Sequence, residues 1–164
     1  YPAGNASTPV VGVSLSEAKS YCAWAGGRLP TGVEWQYAAQ GGDATRAFPW
    51  GADDRPTLRP QVARGRTCPA PHDSRAFAPR SASPLGLVDL VGNVWQYTAD
   101  EFEDGHSHFV MLRGGAHYTL NDASEWYYNS GGWRVDRHAR YNLMDDAYER
   151  AATLGFRCAY DDTT

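Results

Sequence analysis

Two helix signatures stand back to back in the first 42 residues, and they limit what the chain can fold into. In "SLSEAKSYCAWAGG", Ser14 is followed three residues later by Glu17, a capping box that satisfies free amides at a helix start. Gly26 and Gly27 then supply the stop, where the chain must turn through positive φ. The pattern repeats in "RLPTGVEWQYAAQGG": Thr31 caps, Glu34 reciprocates, and Gly41 and Gly42 end the helix. Each helix is short, and the aromatic, glycine-rich composition favours irregular structure around a small framework over a helical bundle. The expected class is α+β, with two short helices, a few core strands and much irregular coil.

The rest of the chain is read for those strands. From Asp43 to Pro84 the sequence is rich in Pro, Arg, Asp, Ala and Gly without a sustained period of two or 3.6, which predicts a long loop packed through Phe48, Trp50 and Phe77. "LVDLVGNVWQYTAD" reads as a strand entered through a turn at Gly92-Asn93, and "HFVMLRGGAHY" and "LGFRCAY" as two more buried strands. From Thr119 to Thr153 no clean period is present. At 164 residues the chain has the size of one domain, taken as 1–164. Six tryptophans, ten tyrosines and 17 glycines favour irregular structure around a small framework.

Charge and motifs remove whole function classes. A net charge of −4 gives no general drive toward phosphate backbones, so nucleic acid is not an expected partner. No run approaches the roughly 20 apolar residues that cross a bilayer, so membrane insertion is not expected. The start, "YPAGNASTPV", has no basic and apolar leader pattern, which says little about compartment because a leader can be removed. Ser-His-Asp order, a phosphate loop and HExxH are all absent. Lys19 is the only lysine among 15 basic residues, so almost every cation is an arginine suited to bidentate bonding and stacking. Three cysteines, Cys22, Cys68 and Cys158, lack zinc spacing and suggest one bridge and one leftover thiol, with the pairing left open by the residues alone.

The order of motifs is informative in itself: "PVVGVSLSEAKSYCAWAGGRLPTGVEWQYAAQGG", "FPWG", "GLVDLVGNVWQY", "LRGGAHY" and "LGFRCA". This order resembles the formylglycine-generating enzyme, or sulfatase-modifying factor, superfamily over about residues 9 to 160. The resemblance implies a variant of the C-type lectin fold. It also implies an N-terminal part before the "PV.GVS" motif that is expected to be a separate chain, to have been removed by processing, or to have been replaced by a partner. In secreted members the positions of Cys22 and Cys158 form a structural disulfide, which implies an oxidising, extracytoplasmic location (periplasmic, cell-surface or secreted). The alternative is two buried thiols.

The same resemblance bears on chemistry. Members that make formylglycine carry a C-x4-C pair that binds copper(I) through soft sulfur. Placing Arg140 on the family's arginine puts Gly132 and Arg137 at the two cysteine positions, and in any register the nearest cysteine is Cys158. Copper is therefore not expected. What stands there instead, Trp133, Arg134, Asp136, Arg137, His138 and Arg140, can clamp an anion, stack on a planar ligand, or tie a long coil to the core. Together with Trp126, Tyr127 and Tyr128 these aromatic and basic residues are the candidate contacts for a protein partner or small ligand.

Asp89, Gly92, Val94 and Gln96 match the family's calcium segment, with Gln96 in place of the expected Glu; calcium is the one candidate cofactor, and the alternative is a self-bonded turn. "DEFEDGHSHF" gathers Asp100, Glu101, Glu103, Asp104, His106 and His108; the two histidines alternate as a strand would display them, which permits a shared metal, against the plainer reading of a solvated acidic loop. Asp145-Asp146 reads as surface. The leading functional expectation is a catalytically inactive extracytoplasmic binding or assembly module, as a subunit of a larger complex. The first alternative is a metal-dependent oxidoreductase of the same superfamily, formylglycine-generating or sulfoxide-synthase-like, working with a partner chain. The second is a variable ligand-recognition protein on a lectin-like scaffold, whose siblings would differ between about 117 and 153.

Overall fold

The computed structural model describes residues 6–65, 67–120, 133–144 and 150–161. Both capping boxes form. Helix α1 spans Leu15–Trp24, with the Glu17 amide donating to Ser14 Oγ at 3.3 Å and the Ser14 amide donating to Glu17 Oε2 at 3.0 Å. Helix α2 spans Gly32–Gln40, where the reciprocal pair is Glu34 amide to Thr31 Oγ1 at 3.2 Å and Thr31 amide to Glu34 Oε2 at 2.8 Å. Gly41 ends α2 in the left-handed region at φ 64°. Each capping glutamate does a second job, since Arg150 grips Glu17 at 2.6 and 2.8 Å and Arg28 grips Glu34 at 2.8 and 2.7 Å.

Among the described residues six strands follow, β1 Ala63–Gly65, β2 Trp95–Glu103, β3 His108–Arg113, β4 Tyr118–Leu120, β5 Ala139–Asn142 and β6 Leu154–Gly155, with one 3-10 turn at Pro56–Leu58. The main sheet has the order β5-β3-β2-β6; β2, β3 and β5 are antiparallel neighbours, and β6 joins β2 in parallel. β1 and β4 pair in parallel as a separate two-stranded sheet. The sequence reading is corrected in three places. "LGFRCAY" supplies only two residues of strand. Residues 87–94 approach β2 as coil rather than strand. The stretches expected as coil contribute β1 and β5, strands too short to show a period.

One core lies between α1 and the sheet and holds Leu15, Ala18, Cys22, Leu29, Trp95, Tyr97, Val110, Leu112 and Leu154. A second, under α2, holds Trp35, Ala39, Leu90, Val91 and Val135, with Trp50 and Trp133 packed against it. The register of β2 slips between Tyr97 and Glu101. Within that slip Ala99 donates to the Pro30 carbonyl at 2.8 Å, and the Asp100 carboxylate accepts the Gly32 amide at 2.9 Å. A carboxylate thus caps the positive end of α2 from the sheet side.

The α2 cap yields a pH prediction. Its bonds to Arg28 and to the Thr31 amide lower the Glu34 carboxyl from 4.5 to about 2. A depressed carboxyl contributes stability above its unfolded value, and that contribution fades as pH falls from 4.5 toward 2. Because Glu34 is solvent-facing the contribution is about 1 kcal/mol or less. Melting temperatures of the native chain and Glu34→Gln should therefore differ most above pH 4.5 and converge as pH falls toward 2. A gap that persists unchanged in acid would show that the ionised pair contributes nothing.

Candidate functional site

The stretch from Trp133 to Arg140 leads from the α2 core to the sheet edge. The Trp133 ring lies 3.8 Å beneath the Arg59 guanidinium, which is itself buried and paired with Asp54 at 2.9 Å. Val135 is fully buried, and its amide donates to the Ala47 carbonyl at 2.9 Å. Arg113, reaching across from β3, donates through Nη1 to the carbonyls of Val135 at 3.3 Å and Arg137 at 3.1 Å. Trp133 and Val135 hence anchor the segment, and Arg134, Arg137, His138 and Arg140 are left on its exposed side.

These exposed groups are not equivalent. Arg134 is closed on Asp136 by two bonds, at 3.0 and 2.8 Å, which raises the guanidinium and lowers the carboxyl. Arg140 lies over the Phe109 ring at 5.1 Å. Partial burial, then the positive fields of Arg113 and Arg140, push the His138 imidazole below its ordinary value. In the β3–β5 register Met111 faces Arg140 and Leu112 faces Ala139. Arg140 and the neighbouring His138 therefore stand beside β3, where Arg113 supplies a second arginine. Burial lowers Arg113, with Asp100 and Asp136 opposing that effect. Trp126, Tyr127, Tyr128, Gly132 and Asp145-Asp146 lie outside the described residues.

The second constellation centres on the turn before β2. Asp89 takes φ 57°, a left-handed conformation rare for a residue with a side chain. Its Oδ2 accepts from Asn93 Nδ2 at 3.0 Å, and Ser74 also bonds the carboxylate. Burial raises the Asp89 carboxyl above its ordinary range; Asn93, Ser74, Arg157 and His72 oppose that shift. Gln96, almost fully buried, takes two donors on Oε1: Trp35 Nε1 at 2.8 Å and Arg157 Nε at 2.6 Å. Its Nε2 donates to the Leu90 carbonyl at 2.9 Å. Arg157 Nη2 reaches the carbonyls of Val88 at 3.3 Å and Asp89 at 3.1 Å.

This donor set does not fit calcium. The ion requires several oxygens converging on one point, yet the Gln96 oxygen already accepts from two N–H groups, one of them on the Arg157 guanidinium, whose Nη2 also holds the carbonyls of Val88 and Asp89. Gln96 was visible in the sequence as a Glu replacement. Arg157 and Trp35, which bind its oxygen, were not singled out, because they lie 61 residues away on either side.

The acidic loop is also corrected. β2 ends at Glu103, and Asp104 Oδ1 accepts the amides of His106 at 3.0 Å and Ser107 at 2.8 Å in the hairpin turn. His106 is thus in the turn while His108 opens β3 and pairs with Glu101 at 3.2 Å, so the two do not alternate on one strand face. Among the described residues no group of three or more His, Cys, Asp or Glu is gathered to hold a metal ion. Cys22 and Cys158 are bonded to each other, with a Cα–Cα distance of 5.4 Å. Cys68 is free and half-buried; it donates to the Pro69 carbonyl, and burial raises its thiol. Among the described residues no helix is long and apolar enough to cross a membrane.

Comparison with known proteins places this geometry. Residues 2–162 match the family described as the sulfatase-modifying factor enzyme 1-like domain. The chain is 36% identical over 158 residues to the inactive C-alpha-formylglycine-generating enzyme 2 of Bos taurus, covering 92% of this chain and 50% of that protein. It is 34% identical over 166 residues to the formylglycine-generating enzyme of Bos taurus, covering 93% and 44%. Among solved structures, Treponema denticola variable protein 1 is similar in fold, with a TM-score of 0.55 and 22% identity over 79% of this chain and 45% of that one. The chain thus spans half or less of the length of these two curated relatives.

Proposed function

Since the chain belongs to the sulfatase-modifying factor enzyme 1-like family, we propose that it is a catalytically inactive member acting outside the cytoplasm as a binding or assembly module. One observation carries the reading: between Cys68 and Cys158 there is no cysteine at all, in a chain matched to the family over residues 2–162. Copper(I) oxidation chemistry of the formylglycine type needs a pair of soft thiolates. The Cys22–Cys158 disulfide consumes two of the three cysteines present and leaves Cys68 in a loop far along the chain. A disulfide of this kind persists in an oxidising compartment, which supports the extracytoplasmic placement.

The contact surface in this reading is the outer side of the 133–140 segment. Arg137, His138 and Arg140 are its exposed polar groups, and Arg134 becomes available only when its bond to Asp136 opens. Trp133 supports this surface from beneath. An arginine-rich face of this composition suits a partner that offers carboxylates or a planar group.

The test uses the full chain, natively purified and subjected to elemental analysis before any metal is added, then incubated in air, which supplies the oxidant dioxygen, with copper(I) and a cysteine-containing peptide, with mass spectrometry of the peptide. Conversion of cysteine to formylglycine is expected to be undetectable. Turnover, or iron or copper near one equivalent per chain, would overturn the reading in favour of a metal-dependent oxidoreductase.

A further inference from the structure

We propose that the turn leading into β2 carries its cation within the chain: the Arg157 guanidinium, locked onto Gln96 and the Val88 and Asp89 carbonyls, fastens this turn where the family resemblance implies calcium. The inference stands apart from the question of catalytic activity and would hold for an active or an inactive domain.

The argument rests on the hydrogen-bond geometry of one buried amide. An amide oxygen has two lone pairs, and on Gln96 both are directed at N–H donors, from Trp35 at 2.8 Å and from Arg157 at 2.6 Å. The orientation of the amide is forced, because turning it over would set its NH2 against those same two donors. Its NH2 meanwhile serves the Leu90 carbonyl at 2.9 Å. Swinging the side chain out to meet an ion would strand the buried indole N–H of Trp35 and the Nε–H of Arg157, each left without an acceptor. The space is built for the observed arrangement: a Cβ on Gly114 would stand 2.8 Å from Gln96 Nε2 and 2.6 Å from the Leu90 oxygen.

Arg157 holds the amide from the far side. Its Nε holds Gln96 while Nη2 bridges the Val88 and Asp89 carbonyls at 3.3 and 3.1 Å. A divalent ion approaching Gln96 would meet a fixed positive charge and a side chain that offers no free oxygen. A carboxylate at position 96 would have neutralised that charge; glutamine does not. On the other side of the turn, Asn93 and Ser74 bond the Asp89 carboxylate.

The experiment compares thermal unfolding of the full chain in millimolar calcium chloride with that in EGTA, and repeats it for Asp89→Gly, a change that suits the left-handed backbone and removes the side-chain oxygens. Superposable midpoints for the native chain are expected, and they support the proposal. A calcium-induced rise of several degrees that Asp89→Gly abolishes would overturn it, since the ion would then be bound in this turn. A rise that Asp89→Gly retains places the ion elsewhere, and supports the turn's independence. Gln96→Glu adds a second readout. Its new oxygen faces the Leu90 carbonyl, so the midpoint should fall, and calcium should not restore it; restoration by calcium would likewise overturn the proposal.

Discussion

Replacing Cys22 and Cys158 together by alanine should lower the unfolding free energy by about 5 kcal/mol in the chain-entropy model. The two residues are 136 positions apart, so the bridge removes a large share of the freedom available to the unfolded chain. In the folded protein it fixes α1 to the end of the sheet, where Arg28 and Ala159 also exchange backbone bonds of 2.9 and 2.7 Å. Domains of this size have about 5–15 kcal/mol in total, so the variant should be near the edge of folding. Urea titration of the double variant measures the loss directly, and the native chain under reductant should approach the same midpoint. A loss below about 1 kcal/mol would mean that the unfolded chain is already compact enough to make the bridge redundant.

Gly114→Ala should cost about 3 kcal/mol or more, since positive-φ strain and overpacking act together. Gly114 has φ 96°, a conformation open to glycine and strained for any residue with a Cβ. The added carbon would also stand 2.6 Å from the Leu90 carbonyl oxygen, and backbone cannot swing aside as a flexible side chain can. The Gly114 carbonyl accepts the Gly92 amide at 2.8 Å, so relief by backbone movement would break the turn around Gln96. Thermal or chemical denaturation checks the size. A variant within about 0.5 kcal/mol of the native chain, the range of neutral surface changes, would show that this contact is more yielding than its geometry implies.

Legibility in the sequence followed the range of the interaction. The helices could be read because a capping box and a glycine stop are local codes contained within fifteen residues, and both boxes formed with the expected donors. The strands rich in apolar residues, β2 and β3, were legible in place but not in extent, because the turn at 88–94 has the same apolar content and differs only in its φ at Asp89 and Gly92. β1 and β5 left no signal, being three and four residues long and defined by their partners across the sheet. The candidate site divides the same way. Exposed arginines at 134, 137 and 140 were readable as residue types. That Trp133 would lie beneath Arg59, or that Arg113 would reach the carbonyls of Val135 and Arg137, depends on contacts 22 or more residues apart that no local pattern encodes.

The parallel pairing of β6 with β2 bears on how the chain acquires its structure. Trp95 and Gln96 meet Leu154 and Gly155, some 59 residues further on, and Val10 lies against Gly155 from the opposite end of the sequence. A topology in which Leu154 and Gly155 complete contacts begun at Val10 and β2 has high contact order, and loop closure must precede the contacts that reward it. Folding should accordingly be slow for a domain of this length, with refolding in milliseconds to seconds rather than microseconds. Because α1 is made before β6, Leu15, Ala18 and Leu29 stay uncovered until Leu154 follows and their core closes.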